Sequence, residues 1–326
     1  MKCINRFSVL SAICIYVILI TGCSSRKYPM PYTADSDISS FRMVSSQSTM
    51  NTAVPFTSKL CVGDNNVNSD AITLTQGSYA GLFDIYDKKI LYGKNIHQQL
   101  NPASLTKIMT AIVALKNGST DMILTATTNV NLKETDAQKM DLKPGDTMTL
   151  NQALNILLLY SANDVAVLIA EGIAGSEDAF VDMMNKEAIS IGATNTHFTN
   201  CHGLTADDHY TTVYDMYLIM NDAMQFELFN EIIHTPEYST VYHDSAGMDK
   251  EISIKSTNQY ITGNREMPAG ITVVGGKTGT TSAAGHCLVL LSRDTRSNPF
   301  ISIVMKSDNR EDLYDNMSSL LGFIGN

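Results

Sequence analysis

The spacing of hydrophobic and polar positions changes period twice along the chain. Gly77 to Asp87 reads as a strand, Asp87-Lys88-Lys89 as a turn, and Lys89 to Tyr92 as a second short strand closing a hairpin. From Leu105 the period turns helical. Leu105, Ile108, Met109, Ile112 and Val113 recur at three- and four-residue spacing, which predicts a buried helix reaching about Lys116 and stopped by Asn117-Gly118. Pro102 stands where a first helical turn tolerates it. Residues 119–148 are mixed, with a turn at Pro144-Gly145-Asp146. Thr149 and Gln152 have the spacing of a capping box ahead of an apolar helix over Leu150–Tyr160. Further helices are expected over Val165–Glu171 (broken by Gly172 and Gly175), from Ser176 to about Ile191, over Thr212–Gln225 and over Phe226–Ile233. After residue 250 strands return at Ile271–Val274, His286–Ser292 and Pro299–Lys306, followed by an amphipathic helix, Glu311–Phe323. Two strands at the start, three at the end and helices between predict an α+β fold. Its antiparallel five-stranded sheet is flanked by helices, with an inserted all-helical subdomain at about 117–265.

Composition adds where this folded part begins. Residues 1–22 read as an export leader: Lys2 and Arg6 give a positive start, and the apolar run Ser8–Ile20 is too short to span a bilayer. Ile20-Thr21-Gly22-Cys23 resembles a bacterial lipobox, which implies cleavage before Cys23 and a lipid on its sulfur. Residues 23–70 are rich in Ser and Thr with no sustained apolar period, as expected of a lipidated flexible tether. The folded domain is then expected over 71–326, on the outer side of a bacterial membrane. The net charge of −10 carries no basic footprint for nucleic acid. No His-Glu-x-x-His and no Cys/His cluster with zinc spacing occurs, so neither metal nor other cofactor is expected. Cys61, Cys201 and Cys287 are an odd number, expected as small buried thiols.

The candidate chemistry lies in three short motifs. Ser104 falls at a helix start with Lys107 one turn on, over the same face. The dipole and unpaired N–H groups of a helix start favour negative charge, and a neutral lysine there can take a serine proton. Ser161-x-Asn163 occupies a tight loop between two apolar helices, where buried polar groups need partners. Gly275-Gly276-Lys277-Thr278-Gly279-Thr280-Thr281 follows a short strand; its glycines permit close approach by another backbone, and its lysine and threonines can hold a carboxylate. Each motif alone recurs by chance: Ser24 and Lys27 repeat the first spacing, and Ser256-Thr257-Asn258 the second.

The ordered set is far more specific, its second and third members standing 57 and 116 residues beyond the one before. It resembles the penicillin-recognising serine enzymes. Asn101 to Thr110, Ser161 to Val167, Phe180 to Asn185, Asn195 to Leu204 and Gly275 to Val289 are similar to the low-molecular-mass D-alanyl-D-alanine carboxypeptidases. The resemblance covers about residues 75–326 and implies the penicillin-binding/β-lactamase-like fold. It implies that Ser104 attacks the carbonyl between two D-alanines and that Lys107 accepts its proton. Ser161 relays a proton to the leaving D-alanine, and Asn163 binds the substrate amide. Lys277 supplies positive charge, Thr278 helps bind the terminal carboxylate, and the N–H groups of Ser104 and Thr280 form an oxyanion hole. Gly279 lies in the strand, 277–281, that pairs with the peptide. The implied partners are a peptidoglycan stem peptide ending in D-Ala-D-Ala, β-lactams, and a membrane reached through the lipid.

The sequence departs from that pattern in places. Ala162 fills the middle of Ser-x-Asn, and Cys201 stands where relatives usually have proline, before His202-Gly203-Leu204. No C-terminal β domain is expected. The rival readings are a D,D-endopeptidase, a β-lactamase of the same fold, and a non-catalytic lipoprotein binding muropeptide or β-lactam. A lactamase needs a second base to drive water onto the acyl-enzyme, and the region where it is usual, 191–201, contains no acid.

Overall fold

A computed structural model describes residues 56–134 and 137–325. The expected leader at 1–22, Cys23, and the tether as far as residue 55 lie outside the described residues. Among the described residues the strands are β1 (Tyr79–Asp84), β2 (Lys89–Lys94), β3 (Ile123–Thr125), β4 (Thr147–Thr149), β5 (Glu237–His243), β6 (Asp249–Lys255), β7 (Thr272–Thr281), β8 (Gly285–Arg293) and β9 (Pro299–Ser307). The helices are α1 (Thr106–Asn117), α2 (Leu150–Leu159), α3 (Asn163–Ala174), α4 (Glu177–Ser190), α5 (Val213–Ala223), α6 (Glu227–His234) and α7 (Arg310–Ile324).

The main sheet has the order β2-β1-β9-β8-β7, antiparallel throughout, so strands from the two ends of the chain meet at the β1–β9 pair. Period-2 alternation gives the sheet two apolar faces. Val289, Leu291, Ile301 and Ile303 face the larger core, with α1, α2, α3 and α5. Leu288, Leu290 and Val304 face a smaller core closed by Leu313, Met317, Leu320 and Leu321 of α7. α1 is buried at every position from Thr106 to Ala114, which explains why its apolar residues spread around the helix instead of forming one stripe. Thr149 and Gln152 form the expected capping box at α2. Thr149→Ala is expected to cost about 1 kcal/mol of unfolding free energy, readable as a lower denaturation midpoint at unchanged m-value.

The inserted region is not all-helical as the sequence suggested. It carries a second sheet, β3-β4-β5-β6. The β5–β6 hairpin turns Tyr238, Tyr242, Ile252 and the buried Ile254 onto the core and a largely polar face outward. Its turn is built by Asp244, whose Oδ1 accepts the N–H groups of Ala246 and Met248. α3 also runs through Gly172, where a break was expected. A Cβ there would stand 2.4 Å from Leu124 Cδ2, so the glycine makes room for β3, and the helix ends at Gly175.

The folded part begins earlier than residue 71. Cys61 is fully buried, its N–H donates to Tyr217 Oη at 2.8 Å, and Tyr214 Oη donates to its carbonyl at 2.8 Å. Val67 pairs with Gly93 of β2. Residues 56–70 are therefore part of the folded body, despite their polar composition, because one small buried residue and backbone pairing suffice to hold them. Cys61, Cys201 and Cys287 are free and buried. Among the described residues no helix is long and apolar enough to cross a membrane.

Candidate active site

Ala103–Leu105 form a tight 3-10 turn that runs straight into α1, so Ser104 is half-buried at the head of the central helix. Ala103 holds a left-handed φ of 48°. Its carbonyl accepts the Thr106 hydroxyl at 2.8 Å and is pressed by Gly203, where a Cβ would lie 2.0 Å from that oxygen. Gly203 also has φ +90°, so both its space and its conformation exclude other residues. On the opposite side β7, an edge strand, passes Ser104 closely: a Cβ on Gly279 would sit 3.0 Å from the Ser104 nitrogen.

Lys107 is fully buried and its Nζ has three neighbours: Ser104 Oγ at 3.0 Å, Asn163 Oδ1 at 2.6 Å and the His202 carbonyl at 2.5 Å. Two of these can only accept. A neutral amine has two hydrogens, which they consume, and its lone pair is left facing Ser104 Oγ. Burial, then the charge of Lys277, holds Lys107 well below the usual lysine range, against weaker opposing pulls from Cys201 and Asp164. The site can therefore take a proton from Ser104.

Lys277, also buried, donates from Nζ to Ser161 Oγ at 2.9 Å and to the Thr278 carbonyl at 2.9 Å, and burial pushes it down to about 7. Ser161 sits at φ 69°, strain of about 1–3 kcal/mol for a serine. Since Oγ accepts from Lys277, its own proton is free for the cavity. Asn163 is the first residue of α3 rather than its cap; Ala162 is the N-cap and makes no side-chain bond. The Asn163 N–H donates to the Gln138 carbonyl, and Asp164 accepts N–H groups from Met140 and Leu142, which ties segment 137–142 to the head of α3.

The structure thus brings together Ser104, Lys107, Ser161, Asn163, Lys277, Thr278, Gly279 and Thr280. A cavity of about 870 Å³ opens on them, lined by Ser104, Ser161, Asn163 and Thr278–Ala283. Several lining residues escaped the sequence reading, three of them with polar or charged side chains that bear on the chemistry. Thr257, in the stretch set aside as a chance recurrence, shares a 2.6 Å hydroxyl contact with Thr278. Among the described residues, Arg310 and Glu134 are the lining residues that carry charge, while burial and the nearby Arg310 lower the pKa of His286. Arg310 follows the cap of α7, Asn309, at the end of β9. Only the sheet order places that end near β7, so no local signal pointed to it.

Comparison with known proteins agrees with this geometry. Residues 66–309 match the family model of the D-alanyl-D-alanine carboxypeptidases. The chain is 36% identical over 203 residues to D-alanyl-D-alanine carboxypeptidase DacF of Bacillus subtilis, covering 61% of this chain and 50% of the relative. It is 35% identical over 235 residues to DacA of Escherichia coli, covering 69% and 54%. It spans about half the length of these curated relatives. The crystal structure of the Streptomyces K15 DD-transpeptidase superposes with a TM-score of 0.68 at 25% identity, covering 77% of this chain and 99% of that one. The D-alanyl-D-alanine carboxypeptidase DacD from Francisella tularensis, at 24% identity, shares the fold with a TM-score of 0.66, covering 80% and 72%. The motif order, the paired buried lysines and the match over 66–309 together make this chain a member of the D-alanyl-D-alanine carboxypeptidase family of serine peptidases.

Proposed function

We propose that the protein is a serine-type D-Ala-D-Ala carboxypeptidase, removing the terminal D-alanine of peptidoglycan stem pentapeptides outside the cytoplasmic membrane, and that penicillin acylates it. The observation that carries this reading is the buried Lys107, whose Nζ stands 3.0 Å from Ser104 Oγ while two groups that can only accept, Asn163 Oδ1 and the His202 carbonyl, engage it as well. Nζ takes the Ser104 proton as Oγ bonds to the carbonyl carbon. Negative charge on the carbonyl oxygen is met by the N–H groups of Ser104 and Thr280. The C–N bond then breaks, and the proton passes through the Ser161 hydroxyl to the departing D-alanine nitrogen. Water adds to the ester, the shortened stem leaves, and Ser104 regains its proton. Asn163 has its Nδ2 free for the substrate amide while Oδ1 holds Lys107. The terminal carboxylate is held by Thr278, Thr280 and the Arg310 guanidinium, a permanently charged cation lining the cavity.

Release of D-alanine from diacetyl-Lys-D-Ala-D-Ala tests the reading; no release from a peptide that still binds would contradict it. Arg310→Ala is expected to lower kcat/KM for this peptide by roughly 10–100-fold, the loss of one charge-assisted bond, mostly through KM.

The pH dependence has a definite sign. Only neutral Lys107 is a base, so acylation rises with pH through its lowered pKa. Lys277 is what lowers it after burial, so Lys277→Met is expected to move that rising limb to higher pH, besides lowering the rate. A limb that moves to lower pH would contradict the electrostatic role.

Cys23 is proposed as the lipid attachment site, on the lipobox-like Ile20-Thr21-Gly22-Cys23. Cys23→Ser is expected to move the protein from the membrane fraction to the soluble fraction and to abolish labelling by a fatty acid. Unchanged labelling would contradict it.

A further inference from the structure

The His202 carbonyl is one of the two acceptors that orient the Lys107 amine, yet it belongs to a loop with no regular structure. Within the loop, Asn200 Oδ1 accepts the Gly203 N–H at 2.7 Å and its Nδ2 donates to the Leu204 carbonyl at 3.0 Å. From outside the loop, the Thr110 hydroxyl donates to the Cys201 carbonyl at 2.6 Å. A second outside anchor comes from the first residue of α4: Glu177 Oε1 accepts the Cys201 backbone N–H at 3.0 Å and its S–H at 3.2 Å. The His202 ring is not the partner of this carboxylate. Its Nε2 lies 3.6 Å away, beyond hydrogen-bond range, and burial keeps the ring neutral, with its pKa down to about 3.

We infer that Glu177 is a positioning residue of the acylation step: by gripping the Cys201 N–H and thiol, it fixes the neighbouring His202 carbonyl and so the direction of the Lys107 lone pair. The inference rests on the assignment of Lys107 as the base. The two hydrogen bonds from residue 201 exist because that residue has both an N–H and a donor side chain; a proline there would have neither. An unanchored peptide has several backbone states, and a displacement of even 1 Å at the reacting atoms can cost about 100-fold in rate.

The test is the second-order rate of acylation by benzylpenicillin across pH, with the purified protein. Titrating or charged groups facing Lys107 are Lys277 on β7, Asp164 on α3, and Cys201, His202 and His209 in the segment before α5. Of these, Cys201 is the one hydrogen-bonded to Glu177; burial first, and that carboxylate second, hold its thiol protonated, so the thiol stays neutral in every variant at 177. Glu177→Ala is expected to lower the high-pH plateau at least about tenfold. It should also shift the rising limb to lower pH, because the ammonium form loses a well-placed acceptor. Glu177→Gln keeps the acceptor oxygen and is expected to stay within about threefold of wild type. Glu177→Asp keeps the helix-start charge and the fold but withdraws the carboxylate, and is expected to fall between the two. In a Cys201→Pro background, where the grip has nothing to hold, Glu177→Ala is expected to change the plateau less than twofold. A Glu177→Ala or Glu177→Asp protein acylated at the wild-type rate overturns the inference. So does a plateau loss without movement of the limb, or the same loss in the Cys201→Pro background. An unacylated wild-type protein would instead overturn the proposed function itself.

Discussion

Lys107→Met will lower the rate of penicillin acylation by about 10²–10⁴-fold, the scale of a positioned general base, while the protein stays folded. Methionine keeps the unbranched shape of the stem within a fully buried helix, so packing around α1 persists. Two opposite terms act on stability. Removing a buried amine relieves its desolvation, while Asn163 Oδ1 and the His202 carbonyl each lose a donor, at about 1–3 kcal/mol apiece. The melting temperature is therefore expected to change little compared with the rate. Lys107→Arg separates charge from basicity. A guanidinium stays protonated at every working pH, so it can neutralise charge but cannot take the Ser104 proton. Acylation of Lys107→Arg at a rate near wild type would remove Lys107 from the role of base.

Gly203→Ala will remove acylation and lower stability together. Its Cβ would need the space of the Ala103 carbonyl, 2.0 Å away, and alanine would have to adopt φ +90°. The conformational strain and the clash are worth about 2–4 kcal/mol, or a fall in melting temperature on the order of 10 °C for a domain of this size. The clash falls on the residue before Ser104, so any relief by backbone movement shifts the nucleophile from the Lys107 lone pair. A Gly203→Ala protein with wild-type melting and acylation would show that the close packing under Ser104 is not required.

What the sequence made legible follows from how locally each feature is encoded. α1 and its serine could be located because a buried helix and its first turn are written in contiguous residues. β8 and β9 could be located because strands buried on both faces read as unbroken apolar runs. β5 and β6 could not: a hairpin with one solvated face and many polar residues resembles loop composition, and its few inward residues, Tyr238, Tyr242, Ile252 and Ile254, are scattered among charged and hydroxyl side chains. That the fold takes in residues ahead of 71 was hidden for a similar reason, since the short apolar run Leu60-Cys61-Val62 stands between polar stretches and holds only one fully buried position. At the site, Ser104, Lys107, Ser161, Asn163 and Lys277 were found through their ordered spacing. Thr257, Arg310 and Glu177 were missed because each meets the site only through tertiary placement. Thr257 also lay inside a spacing that looked accidental. Cys201 was expected as a buried thiol and is one, and its hydrogen bonds to Glu177 give that burial a consequence for Lys107.

The most direct measurement of the central claim is the intact mass of the purified protein over time after mixing with benzylpenicillin, beside the Ser104→Ala variant. The account predicts a single adduct of one penicillin mass that persists for minutes or longer on the wild-type chain and never forms on the variant. An adduct that survives Ser104→Ala, or no adduct on a folded wild-type chain, would contradict it.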